Sequence, residues 1–278
     1  MSKNNILYIS DFFLSDIIGG GELNDYELCS LLLVNKLKSH EVTTEVLKKY
    51  MGHKIIVSNF VNLPVGTRDM LADNFDYVIY EHDHKYLRNR NPAKFKDFIA
   101  PKSQIVNAKF YQNAMAVFCQ SSFHKSIIEK NLSINNVHNL SGNLWSEDSL
   151  SILEILSKKE KNNRYSILNS GTWHKNTSET CFYCEKKGYE YELISSKNYN
   201  EFLSLMSNNN KFIFLPKSPE TLSRVVVEAR MMGIKTITNK NVGASYEPWF
   251  KLSGCELIEH MRGKRVEIPN RVLEILNG

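Results

Sequence analysis

The sequence predicts an α/β protein built from two successive βα domains, and three observations carry the prediction. Short apolar runs of strand length alternate with longer amphipathic segments; a polar, charged stretch at 157–164 interrupts the alternation; and the alternation resumes beyond it. A chain of 278 residues is long enough for one large or two medium domains with an ample core. With 42% hydrophobic and 11% aromatic residues, it reads as an ordinary globular protein. We place an N-terminal domain at 1–156 and a C-terminal domain at 157–278, with the terminal helix free to pack back on the first.

In the first domain, residues 6–10 (ILYIS) read as a buried strand, followed by three glycines, Gly19, Gly20 and Gly21, and a helix over 22–37. Strand, glycine loop and helix in that order bring backbone N–H groups close to an anion. The loop is neither a P-loop, lacking the lysine and hydroxyl after its last glycine, nor a GxGxxG, whose final position is Asn24 here. Strands follow at 53–60 and 75–80 with a helix at 66–74 between them, then a strand at 114–119, a helix capped by Ser121 or Ser122, and a short strand at 137–140. Ser146 caps a helix with an acidic start, which runs out into the polar stretch.

The second domain alternates in the same way, with strands at 165–169, 189–195, 211–216 and 235–238, helices at 177–187 and 199–207, and a terminal helix at 271–277. Its most informative stretch is 218–233, SPETLSRVVVEARMMG. Ser218 suits an N-cap, Pro219 the first helical position and Gly233 a stop, which predicts a helix. Glu220, Arg224 and Glu228 would then share one face, with the two carboxylates roughly 12 Å apart along the axis. Such a ladder is either a solvated row of ion pairs or the lining of a ligand site at the strand ends, where α/β sheets hold phosphates.

Composition narrows the rest. MSKNN lacks an apolar signal segment and no apolar run is long enough to span a bilayer, so an intracellular, cytoplasmic location is expected. Five scattered cysteines do not form a disulfide framework, and the CxxC of Cys181 and Cys184 has no further pair to complete a zinc site. The net charge of +5 is moderate, but the segment from Lys85 to Lys109 carries seven cations against the single acid Asp97, interleaved with Tyr86, Phe95, Phe98, Phe110 and Tyr111. That mixture suits an anionic partner with stackable faces, although the aromatics could equally be core. Glu81, His82, Asp83 and His84 stand at the end of a parallel strand, where such sheets do chemistry. Neighbours on a strand point to opposite faces, so at most two of the four could share an ion, and no metal is assigned.

Taken together, the GGGE loop, the second α/β domain, the helix with Glu220 and Glu228 ending in EARMMG, and the NVGASYE that follows resemble retaining nucleotide-sugar glycosyltransferases of the GT-B fold, especially family 4, and among them compact members of phage origin. The resemblance implies two Rossmann-like domains facing each other across a cleft, with no metal and no cofactor beyond a nucleoside-diphosphate sugar, UDP favoured. It implies that Glu220 reaches hydroxyls of the donor sugar, that Glu228 holds the ribose, and that Gly19, Gly20 and Gly21 approach the diphosphate. Lys175 takes the position of the phosphate lysine, Gly243 of NVGASYE joins the donor-binding set, and His82 or His84 stands near sugar and acceptor, with Glu22 of the GGGE loop as a further catalytic candidate. One departure stands out. Where the family places an arginine shortly after the first strand of the second domain, this chain reads Gly171-Thr172-Trp173. Arg224 is the expected substitute.

The activity implied is transfer of a hexosyl or pentosyl group to an acceptor hydroxyl; the segment from Lys85 to Lys109 favours a polyanionic acceptor, a hydroxymethylated base of phage-type DNA ahead of a lipid or polysaccharide. A sugar-nucleotide epimerase of similar fold and a non-catalytic nucleotide-sugar or nucleic-acid binding protein are the alternatives.

Overall fold

The computed structural model describes residues 5–278; Met1–Asn4, on which the reading of the N-terminus rests, lie outside the described residues. In chain order the elements of the first sheet and its helices are β1 (Ile6–Ser10), α1 (Gly20–Leu32), β2 (Asn35–Lys38), α2 (Thr44–Lys48), β3 (Lys54–Val57), α3 (Val65–Asn74), β4 (Tyr77–Tyr80), α4 (Ala108–Gln112), β5 (Ala116–Cys119), α5 (Ser122–Leu132) and β6 (Val137–Asn139). There follow α6 (Glu147–Ser157), β7 (Asn162–Leu168), α7 (Thr177–Lys187), β8 (Tyr191–Ile194), α8 (Tyr199–Met206), β9 (Asn209–Phe214), α9 (Arg224–Met231), β10 (Lys235–Thr238) and α10 (Gly254–Asn277). Every strand pairs in parallel, in a six-stranded sheet of order β2-β1-β3-β4-β5-β6 and a four-stranded sheet of order β10-β9-β7-β8. Parallel strands need crossover connections, and the helices between them supply these.

Two compact units result. The first ends at Leu144 and takes in Lys264–Gly278; the second is Trp145–Gly263. In the first, alternate strand residues feed two different cores. Leu7, Ile9, Ile55, Val57, Tyr77, Ile79 and Val117 lie in one cluster, whereas Ile6, Tyr8, Ile56, Val78, Tyr80, Ala116 and Phe118 lie in another with Ile268, Val272 and Leu276 of α10. A sheet covered on both faces explains why its strands read as unbroken apolar runs.

The units divide at Leu144/Trp145, where the sequence suggested a boundary after residue 156. The reason is packing: Trp145, Leu150 and Leu153 are buried with Phe212, Phe214, Val226 and Val227 in the core of the second unit. The polar stretch at 157–164 therefore lies inside that unit, running from the last residue of α6 into the start of β7. Likewise the helix expected over 22–37 stops at Leu32, because Leu33 takes a left-handed conformation (φ 54°) and the chain turns into β2, an edge strand whose polar NKLK carries little apolar signal.

The largest departure concerns 218–223. These residues are not helical, and α9 begins only at Arg224. Glu220 N–H donates to Asn241 O (2.7 Å), Gly243 N–H to Glu220 O (3.0 Å) and Ala244 N–H to Leu222 O (2.9 Å), so the segment runs alongside 241–244 as a parallel bridge. Those tertiary bonds satisfy the backbone that the Ser-Pro signal would have placed in a helix.

Candidate functional site

In the first unit the predicted residues gather at the C-terminal ends of the strands. Gly19 is the N-cap of α1, and Gly20, Gly21 and Glu22 form its first turn. That turn meets His82, which follows β4: a Cβ on Gly21 would lie 3.5 Å from the His82 ring. Both ring nitrogens are engaged, Nε2 with Asp25 on the second turn of α1 and Nδ1 with the amide of Gln120 after β5. Asp25 also accepts from the Ser58 hydroxyl at 2.7 Å, and the Tyr80 ring stands edge-on to His82 at 5.2 Å. Burial opposes charge on the imidazole, but the Asp25 carboxylate outweighs it and raises the His82 pKa. Burial also raises the pKa of Glu22, against the attraction of His82.

His84 is a different kind of residue. It is buried in a polar pocket, with Nδ1 3.0 Å from the Tyr86 hydroxyl and its ring edge-on to His124 at 5.0 Å. Burial lowers its pKa to about 4, so it is neutral at physiological pH. Of the two histidines offered by the sequence, only His82 lies beside the glycine turn.

The basic segment divides too. Lys85 is buried, ion-paired with Glu81 and with Asp83 (3.2 Å) and set over the Phe60 ring, while Glu81 also accepts from the Tyr111 hydroxyl. Tyr86, Phe110 and Tyr111 belong to the core, so these three are not part of a stacking surface, while Phe95 and Phe98 are half-buried. Arg88, Arg90, Lys94, Lys96, Lys102 and Lys109 are exposed. Two of these already meet acids, Arg90 at Asp83 (3.4 Å) and Lys109 at Asp73 (2.7 Å).

In the second unit Lys175 and Glu220, 45 positions apart, come together. Lys175 Nζ donates to both carboxylate oxygens of Glu220, at 2.9 and 3.1 Å, on the loops that follow β7 and β9. Glu228 does not join them on one helix face. It is 1% exposed, and its Oε1 accepts from Trp145 Nε1 (2.9 Å) and the Tyr199 hydroxyl (2.7 Å) and pairs with Arg224 Nε at 3.4 Å. Arg224 is itself buried, its guanidinium 4.3 Å from the Trp145 ring centroid. Arg224 and Glu228 thus form a buried cluster that does not include Glu220, in place of one helix face shared by all three. Gly243 is buried, and its N–H is spent on the Glu220 carbonyl instead of facing a ligand.

Sequence reasoning missed Asp25, Gln120, Trp145 and Tyr199. Asp25 could have been sought as an acid within one helical turn of Glu22; nothing in the sequence pointed to the other three. Two open cavities, of about 680 and 470 Å³, lie at the opposite, N-terminal ends of strands β7–β9 and β3–β4 and hold none of these residues. Among the described residues no group of three or more His, Cys, Asp or Glu side chains is arranged to hold a metal, and no helix is long and apolar enough to cross a membrane.

Two all-parallel α/β units of this kind define the GT-B architecture, and the solved structures similar to the chain are of that class. HepE of Anabaena, in complex with UDP and glucose, superposes with a TM-score of 0.52 at 12% identity, over 98% of this chain and 94% of that one. An α-glucosyltransferase in complex with UDP and a 13-mer DNA containing an HMU base gives 0.48 at 12% identity, over 98% and 94% of the two chains. The lipopolysaccharide outer core galactosyltransferase WaaB gives 0.46 at 12%, over 96% and 91%. No family model matches the chain, and no curated protein matches it in sequence. At these identities the likeness is one of fold.

Proposed function

We propose that the protein transfers a sugar from a nucleoside-diphosphate donor, UDP-sugar first, to an acceptor hydroxyl. The observation that carries the reading is the Lys175–Glu220 pair. A lysine and a carboxylate from separate loops meet at the C-terminal edge of a parallel sheet, where such folds bind ligands. In the absence of donor each satisfies the other. A diphosphate would draw the ammonium onto its oxygens and release the Glu220 carboxylate to accept hydrogen bonds from sugar hydroxyls. Rate would come from placement and from stabilising the charge that builds on the departing diphosphate. The family resemblance favours a retaining course, in which the leaving phosphate itself can take the acceptor proton and no protein nucleophile is required.

HepE, similar in fold, was solved with UDP and glucose, which makes UDP-glucose the first donor to try. Calorimetry with UDP and UDP-glucose tests the reading. Glu220→Gln should weaken UDP-glucose about tenfold or more while leaving UDP within a few-fold, because Glu220 is assigned to the sugar. No binding of either by the wild type, or equal losses for both, would overturn it.

The acceptor we propose is a polyanion, with DNA carrying a hydroxymethylated base first, and the exposed cations of 88–109 support it. A base inside a duplex would have to be flipped out for this chemistry. If Lys94 and Lys96 meet phosphates, the double alanine variant should reduce the log–log salt slope of DNA binding by about 1.8. Salt-independent binding would rule this acceptor out.

A further inference from the structure

The donor reading leaves a diphosphate with one assigned cation, since the expected arginine is missing and Arg224 is buried against Glu228 and Trp145. The loop after β9 offers another. β7 and β9 are neighbours in the sheet, with Ile167 beside Ile213, so the loops leaving their C-terminal ends run side by side. The first carries Trp173, His174 and Lys175; the second carries Leu215, Pro216 and Lys217.

The second loop is held in place from three directions. Asn176 Nδ2 donates to Leu215 O (2.7 Å), and Asn239 Nδ2 and Asn241 Nδ2 both donate to Pro216 O (2.9 Å each). Lys217 N–H then donates to His174 O at 2.9 Å, tying the two loops together next to Lys175. A backbone fixed this way presents its side chain with little ordering left to do. The Lys217 ammonium lies 5.4 Å from the centroid of the Trp173 ring, whose own side is open to solvent, and bonds Glu179 Oε1 at 2.8 Å. Glu179 is 66% exposed, and an ion pair so open to water is weak, so a dianionic ligand can compete for the lysine.

We propose that Lys217 is the second diphosphate-binding cation of the donor site, taking with Lys175 the part that the missing arginine would have played. The inference rests on the donor reading above and adds a residue to the same site. It also gives a reason for the three asparagines, whose amides are bonded to the loop's own carbonyls: they position the lysine.

The test is calorimetric titration of UMP and UDP into the wild type, Lys217→Ala, Lys217→Arg and, as a control on a neighbouring loop, Lys240→Ala. Lys217→Ala should weaken UDP by about 10- to 100-fold and UMP by less than about 3-fold, Lys217→Arg should retain most of the UDP affinity, and Lys240→Ala should match the wild type. Glu179→Gln, which removes the competing acid, should tighten UDP about twofold. The Lys217 side chain is half-buried, so the melting temperature of each variant is measured alongside to confirm that it folds. UDP binding by the wild type with no loss in Lys217→Ala, or with UMP lost equally, overturns the proposal and leaves the donor reading standing. Failure of the wild type to bind either nucleotide overturns both.

Discussion

Replacing Glu228 by alanine removes one acceptor from two buried donors and one carboxylate from a buried guanidinium. Trp145 Nε1 and the Tyr199 hydroxyl lose bonds of 2.9 and 2.7 Å, and Arg224 loses the carboxylate at 3.4 Å. Each buried donor left without its acceptor costs about 1–3 kcal/mol. Breaking a buried ion pair from one side costs about 3–5 kcal/mol. These terms overlap, so we expect a total near 3–5 kcal/mol, with Glu228→Gln, which keeps a neutral acceptor, costing about 1–2 kcal/mol. Urea unfolding followed by tryptophan emission reads the change directly, because Trp145 is fully buried in this cluster while Trp173 is already 63% exposed. A loss below about 1 kcal/mol in Glu228→Ala would refute the reasoning, since it would mean that the three contacts do not hold together in solution. The expectation also bears on function. Reduced nucleotide affinity in Glu228→Ala would report a damaged core as readily as a lost ribose contact, so Glu220, Lys175 and Lys217 are the cleaner probes of the donor site.

Lys85→Met should destabilise the first unit by about 3–5 kcal/mol, because it leaves Glu81 ionised and buried or forces it to take up a proton, and it should leave the salt slope of DNA binding unchanged; urea unfolding and binding titrations check the two halves. By NMR the two histidines after β4 should show pKa values displaced in opposite directions, His82 upward and His84 downward. His84, depressed to about 4, stays neutral when folded but charges when unfolded, so stability should fall as pH drops from 6.5 toward 4, by up to about 3 kcal/mol for this residue; burial depresses His124 as well, so His84→Gln should reduce the dependence without abolishing it. His82 is raised, so its contribution is complete below pH 6.5 and is lost as pH rises through its folded value; Asp25→Asn should lower that value, and an unmoved titration would contradict the Asp25 contact. Lys175→Ala should weaken UDP about 10- to 100-fold by calorimetry, in line with the loss of a charge-assisted contact to phosphate.

How much of this was legible in the sequence follows from where the signals are local. Strands such as β1 and β4 are apolar on both faces, so ILYIS and YVIY announce themselves. Ser121 and Ser146 cap α5 and α6 through their own side chains, as their positions suggested. The start of α9 was misread because the Ser-Pro signal at 218–219 is local, whereas the bonds that keep 220–222 extended come from 241–244, more than 20 residues on. Lys85, Tyr86 and Tyr111 looked like part of a charged, stackable surface; only the fold reveals Glu81 waiting inside for the lysine and the tyrosine. In the candidate site, Lys175 and Glu220 were each legible, but their meeting was not, since periodicity carries no information about two loops 45 residues apart. Asp25 was hidden for the same reason, an acid on a helix whose partner stands at the end of another strand.

The central claim is that Lys175 and Glu220 form the core of a donor site from which a sugar is transferred. Mass spectrometry of hydroxymethylated DNA incubated with the protein and a panel of UDP-sugars tests it most directly. A mass gain of one sugar per modified base is expected with at least one donor, abolished in Glu220→Gln and Lys175→Ala variants that still fold. A new nucleotide-sugar appearing without any acceptor, or donor binding with no turnover on DNA or on any other hydroxylated acceptor, would contradict it.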